Sequence, residues 1–191
     1  LFELNNASAR LRFLTIQNGK TTNVDKDKSS GGNVWITTAG GTVEDCVIKS
    51  GSTANCWGAG GGNVYMRSGR LSRCKLIGGT NNTNAQNEWV YSGGSLVAFG
   101  SSVIENCTIT GCSSGAAPVG LYHGAKMVNC TIAGNGCGAA GALIIGATDG
   151  TKDIPSVVNC ALFNNGEKDV IKGSVLHGNV TDVEFAKTAL V

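Results

Sequence analysis

One six-residue block recurs seven times along the chain, and no other feature constrains its folding as strongly. It reads Leu11-Arg-Phe-Leu14-Thr-Ile16, Val43-Glu-Asp-Cys46-Val-Ile48, Leu71-Ser-Arg-Cys74-Lys-Leu76 and Ile104-Glu-Asn-Cys107-Thr-Ile109. It continues as Met127-Val-Asn-Cys130-Thr-Ile132, Val157-Val-Asn-Cys160-Ala-Leu162 and Val180-Thr-Asp-Val183-Glu-Phe185. The fourth position falls at 14, 46, 74, 107, 130, 160 and 183, at intervals of 32, 28, 33, 23, 30 and 23. A second block lies between the copies: Gly32-Asn-Val34-Trp-Ile36, Gly62-Asn-Val64-Tyr-Met66, Gly94-Ser-Leu96-Val-Ala98, Gly120-Leu121-Tyr-His123, Gly141-Ala-Leu143-Ile-Ile145 and Gly173-Ser-Val175-Leu-His177.

Both blocks alternate apolar and polar residues with period two, and Gly, Asn and Ser punctuate them. No stretch has helical period. A strand pair this short cannot bury its own face. Stacked copies pair in parallel and close a shared core. The sequence therefore predicts an all-β chain, a single-stranded parallel β-helix of about seven coils. At a strand spacing of about 4.8 Å the rod is roughly 30 Å long. Unequal intervals place the extra residues at the corners.

Composition agrees. The 191 residues include 29 glycines and 2 prolines, which suits many tight turns. A net charge of +2 with 15% charged residues argues against a nucleic-acid footprint. No apolar run is long enough to span a membrane. No signal peptide is visible at Leu1–Ser8. The chain reads as one domain over 1–191, with regular coils over about 10–185, either a mature product or a fragment of a larger protein.

The blocks Asn106-Cys-Thr-Ile109, Asn129-Cys-Thr-Ile132, Gly-Gly-x-Val and Phe163-Asn-Asn-Gly166 resemble right-handed parallel β-helix repeat proteins. These include bacterial secreted and surface proteins of the pectate-lyase-like superfamily and the Gly-Gly-x-Ile/Phe-x-x-Asn repeats of polymorphic outer-membrane proteins. The resemblance covers residues 10–185. It implies a right-handed coil and a secreted or cell-surface location. It leaves the chemistry open, because that superfamily includes lyases, hydrolases, adhesins and tailspikes.

Cys46, Cys74, Cys107, Cys130 and Cys160 share one register position, two residues before Ile48, Leu76, Ile109, Ile132 and Leu162. Period two puts both columns on one face, which must be the core. A buried thiol ladder is expected, with cysteine acting as a small hydrophobe. Stacked side chains about 4.8 Å apart sit slightly too far for a disulfide. A linear column offers no tetrahedral metal site, and no cofactor is implied. Cys112 and Cys137 follow the ladder in adjacent coils; the sequence is compatible with a disulfide between them and with separate thiols. Cys56 has no evident partner. The residues before the ladder, Asp45, Arg73, Asn106, Asn129, Asn159 and Asp182, suit bends and bonding along the stack. Asn106-Cys-Thr108 and Asn129-Cys-Thr131 match the glycosylation sequon but read as strand residues beside the core.

Three places invite a functional reading. The middle of the second block holds Trp35, Tyr65, Val97, Tyr122, Ile144 and Leu176, an outward apolar stripe. Such a stripe is either covered by the chain's own loops or a further domain, or it contacts a glycan or another subunit. The long corners Gln17–Ser30, Lys49–Gly60 and Gly78–Ser92 should stack into one wall. They carry Trp57, Trp89 and Tyr91 beside Asp25, Asp27 and Glu88, aromatics and acids that suit a sugar. His123 and His177 end the second block and read as structural histidines.

A hydrolase on this scaffold needs two carboxyl groups across the sugar bond, and a lyase needs a base with calcium ligands. Neither set lies along the regular strands, so Asp25, Asp27 and Glu88 are the catalytic candidates. Polygalacturonase-type Asn-Thr-Asp, Asp-Asp and Gly-His-Gly motifs are absent. The leading expectation is a non-catalytic, adhesin-like or glycan- or partner-contacting module. The alternatives are a polysaccharide lyase or hydrolase at the long corners and a self-assembling fibre segment.

Overall fold

A computed structural model describes residues 1–22, 31–54, 60–82, 93–113, 117–136, 141–146 and 153–165, and the backbone of 170–172, 185–186 and 189–190. The described residues contain no helix. They form an all-β parallel solenoid, as the repeat predicts.

Three seven-stranded sheets run through the stack, and a fourth has three strands. Sheet A takes Phe2–Leu4, Val34–Ile36, Val64–Met66, Leu96–Phe99, Val119–Tyr122, Leu143–Gly146 and Val170–Lys172. Sheet B takes Arg10–Arg12, Thr42–Glu44, Arg70–Ser72, Val103–Glu105, Lys126–Val128, Ser156–Val158 and Phe185–Ala186. Sheet C takes Thr15–Gln17, Val47–Lys49, Lys75–Ile77, Thr108–Thr110, Thr131–Ala133, Ala161–Phe163 and Ala189–Leu190. Sheet D joins Lys20–Thr21, Ser52–Ala54 and Thr80–Asn82, so the long corners do begin by stacking in register.

The first block is two strands and not one. Between sheets B and C the chain turns through a single left-handed residue: Phe13 (φ 56°), Asp45 (54°), Arg73 (50°), Asn106 (53°), Asn129 (53°) or Asn159 (51°). This conformation costs about 1–2 kcal/mol for most L-residues and least for Asn and Asp, which bond locally. That explains the Asn/Asp column before the cysteines. Phe13 and Arg73 are the exceptions, and Arg73 forks onto Asp45 at 2.7 and 2.8 Å. A second left-handed position closes sheet C at Asn18, Ser50, Gly78, Gly111, Gly134 and Asn164.

Register corrects three expectations. Val119 pairs with Leu96 and Gly120 with Val97, so Tyr122 stands opposite Phe99. A slip of two residues preserves the alternation, which is why the pattern alone did not reveal it. In the last coil the sheet A strand is Val170–Lys172, and Gly173–His177 lies outside the described residues. Phe185–Ala186 pairs with Val157–Val158, and Ala189–Leu190 pairs with Ala161–Leu162, which displaces the expected block Val180–Phe185. At the other end, the segment read as a polar lead-in supplies Phe2–Leu4, paired with Val34–Ile36.

The inner columns are fully buried. They stack Ile36, Met66 and Ala98 from sheet A, Val43, Leu71, Ile104 and Met127 from sheet B, and Ile48, Leu76, Ile109 and Ile132 from sheet C. Each side chain sits between its apolar counterparts in the neighbouring coils, so the core is repetitive in the way the sequence is.

Candidate functional site

The thiol column lies inside, as the alternation requires: Cys46, Cys74, Cys107, Cys130 and Cys160 are 1–3% exposed. Cysteine has a specific task here. Each follows the left-handed bend, where the N–H of Cys74, Cys107 and Cys130 meets sulfur and not a carbonyl. The Cys74 N–H donates to Cys107 Sγ, Cys107 N–H to Cys130 Sγ and Cys130 N–H to Cys160 Sγ, all at 3.4 Å. Each thiol in turn donates to the carbonyl two residues back, at 3.2 Å for Cys46, Cys74, Cys107 and Cys130 and 3.3 Å for Cys160. Valine would fill the space without accepting the N–H. Burial pushes the Cys46 thiol above its usual value.

Two polar spines, unassigned by the sequence reading, hold the corners. Asn33 and Asn63 are buried, and the Asn33 Nδ2 donates to Asn63 Oδ1 at 2.9 Å. The Gly19 N–H donates to Asn33 Oδ1 (2.7 Å) and the Gly51 N–H to Asn63 Oδ1 (2.9 Å). Asn135 donates to Asn165 Oδ1 at 2.7 Å and accepts the Cys112 N–H at 3.0 Å. The signal was the recurring Gly-Gly-Asn, which fixes a buried amide where the chain leaves sheet D for sheet A.

The acids of sheet B are neutralised by arginines. Glu44 meets Arg12 Nε at 2.9 Å and Arg73 Nη2 at 2.7 Å; Glu105 meets Arg70 Nη1 at 2.6 Å. Arg73 holds the Asp45 carboxyl below its usual range, and Arg70 does the same for Glu105. Asn159 Nδ2 donates to Asn129 Oδ1 at 2.6 Å, on an exposed corner. The sequon asparagines Asn106 and Asn129 therefore stand at exposed bends and not within a strand, as the sequence had suggested.

The apolar stripe on sheet A is covered along most of its length. Tyr65 and Tyr122 are 1% exposed and Val97 is fully buried, forming a second apolar cluster outside the sheet; Trp35, Phe99 and Ile144 pack against it half-buried. The Trp35 Nε1 is buried without an acceptor among the described residues. The stripe opens along the C-terminal edge of its strands. There Phe99 stacks on Tyr122 (centroids 5.2 Å apart) and on His123 (5.9 Å), and Tyr65 tilts against Phe99 at 5.4 Å. The Arg67 guanidinium lies 5.9 Å from the Tyr65 ring and 6.0 Å from that of Phe99. Thr38, Arg67, Phe99, Gly100 and His123 line an open cavity of about 300 Å³. Arg10, Arg12, Arg70 and Arg73 each have a carboxylate partner, whereas the exposed Arg67 has none among the described residues. Burial pushes the His123 imidazole below its ordinary value, against an upward pull from Asp153.

Of the residues singled out by sequence, Trp35, Tyr65 and Tyr122 come together in the stripe, with Tyr122 displaced toward Phe99. Asp25, Asp27, Glu88, Trp57, Trp89, Tyr91, Cys56, Cys137 and His177 lie outside the described residues. Cys112 is buried, and its thiol donates to the Gly79 carbonyl at 3.2 Å. Arg67, Phe99 and Thr38 carried no motif; only the register that brings three turns together identifies them. Among the described residues no three His, Cys, Asp or Glu side chains converge on one point. No described helix is long and apolar enough to cross a membrane. Comparison with protein-family models, curated proteins and solved structures gives no match.

Proposed function

We propose that the chain is a non-catalytic contact module of a secreted or cell-surface bacterial protein, and that it engages glycan at the open edge of the sheet A stripe. The supporting observation is the cavity lined by Thr38, Arg67, Phe99 and His123. An aromatic ring offers a sugar's apolar face a platform, while an exposed guanidinium, an imidazole and a hydroxyl offer polar contacts around it. Concave sites with few convergent polar groups are where ligands bind. Right-handed winding, as in the pectate-lyase-like superfamily, accords with the near-universal hand of parallel crossovers.

The test pairs binding with turnover. A polysaccharide panel in affinity electrophoresis should include members that retard the protein, and Arg67→Ala should weaken that retardation at least several-fold. Release of new reducing ends from any member would overturn the non-catalytic reading. Absence of retardation by every member would overturn glycan contact.

A further inference from the structure

We propose that the thiol column is a receptor for soft monovalent ions of the copper(I) and silver(I) type, each held linearly between the thiolates of adjacent coils. The ligand set is uniform and buried: Cys46, Cys74, Cys107, Cys130 and Cys160, in five successive coils. Thiolates select soft ions over magnesium, calcium or manganese. Geometry then selects the coordination number. No three ligating side chains converge among the described residues, which rules out the tetrahedral zinc arrangement there. A column offers its ligands in pairs along one line. Two metal–sulfur bonds of about 2.3 Å laid end to end span about 4.6 Å. Stacked strands repeat every 4.7–4.9 Å or so, about the same distance. The core therefore admits such an ion without moving a strand.

The hydrogen bonds also fit. Backbone N–H groups of Cys74, Cys107 and Cys130 already point at the sulfurs of Cys107, Cys130 and Cys160. They stabilise thiolate more than thiol, because hydrogen bonds to an ionised acceptor are stronger. Binding is coordination without redox change. Two S–H bonds break, two protons pass to solvent, and two sulfur–metal bonds form around an ion whose oxidation state is unchanged. Affinity accordingly falls with falling pH.

The test separates adjacency from thiol number. Cys46→Val/Cys107→Val and Cys74→Val/Cys130→Val each remove two ladder thiols. The first leaves Cys130 beside Cys160; the second leaves no adjacent pair. Reduced protein is refolded from urea with silver acetate, which gives the ion access, and native mass spectrometry counts the ions retained. The first variant should retain one more ion than the second, and the wild type more than either. The remaining cysteines are common to all three chains and cancel. Equal retention by the two variants overturns the proposal, as does a wild type that retains no more than they do. Far-UV circular dichroism checks folding; should either valine variant fail to fold, the alanine versions of the same pairs replace them.

Discussion

Asn63→Ala should nearly unfold this protein, although it removes no apolar surface. The side chain is fully buried. Its Oδ1 accepts from Gly51 N–H and from Asn33 Nδ2, each at 2.9 Å. Its Nδ2 donates to the Gly78 carbonyl at 3.1 Å and Ser95 Oγ at 2.9 Å. Truncation leaves an orphaned N–H and an orphaned amide, with carbonyl and hydroxyl partners also affected. An orphaned buried polar group costs about 1–3 kcal/mol. Two or three together cost about 2–9 kcal/mol, a large share of the usual 5–15 kcal/mol of domain stability. A buried apolar truncation such as Ile109→Ala, by comparison, costs about 2–5 kcal/mol. Urea unfolding followed by circular dichroism at equilibrium reads both. Asn63→Ala within about 1 kcal/mol of wild type would refute the claim that the spine holds the corners, since this is less than a single orphan costs.

Three further outcomes follow from the same geometry. A Cβ at Gly62 would fall 2.3 Å from the Gly94 carbonyl oxygen and 2.4 Å from Ser52 N, whereas one at Gly40 meets nothing nearer than 3.6 Å. Gly62→Ala should therefore cost at least the 1–3 kcal/mol or so of an overpacked core. Gly40→Ala should cost only the left-handed penalty of about 1–2 kcal/mol, and the two urea midpoints should separate accordingly. Glu105, held below its usual range by Arg70, contributes stability above the unfolded carboxyl value of about 4.3; the contribution is lost as pH falls through the lowered folded value. The stability gap between wild type and Glu105→Gln should therefore close under acid, and a gap independent of pH would contradict the pairing. His123, held below its ordinary value by burial, should lower stability as pH falls below about 6.5. His123→Phe should flatten that part of the pH profile in thermal unfolding.

Much of the scaffold was legible because stacking repeats the same demand in every coil. The Cys-x-Ile/Leu spacing identified the inner face, and the buried thiols stand where the alternation put them. The three-residue strands hid the corner at Asp45, Arg73 and the asparagines, since one left-handed residue reverses nothing in the polar–apolar pattern. Tyr122 was misplaced by two residues for the same reason: faces repeat every second residue, and only pairing with Phe99 distinguishes the registers. The Asn33–Asn63 spine went unassigned because an asparagine after two glycines reads as a turn residue until the amide is seen inside. The cavity residues Thr38, Arg67, Phe99 and His123 are far apart in sequence and come from turns whose spacing varies. Periodicity does not reach such residues.

The central claim is that successive coils stack with their cysteines facing a shared core. Pulsed thiol labelling read by mass spectrometry tests it site by site. Cys74, Cys107 and Cys130 are 1–2% exposed. They should react only through unfolding, at one common rate with one common urea dependence. Rapid modification of any of the three in native buffer, or three unrelated rates, would contradict the stacked core.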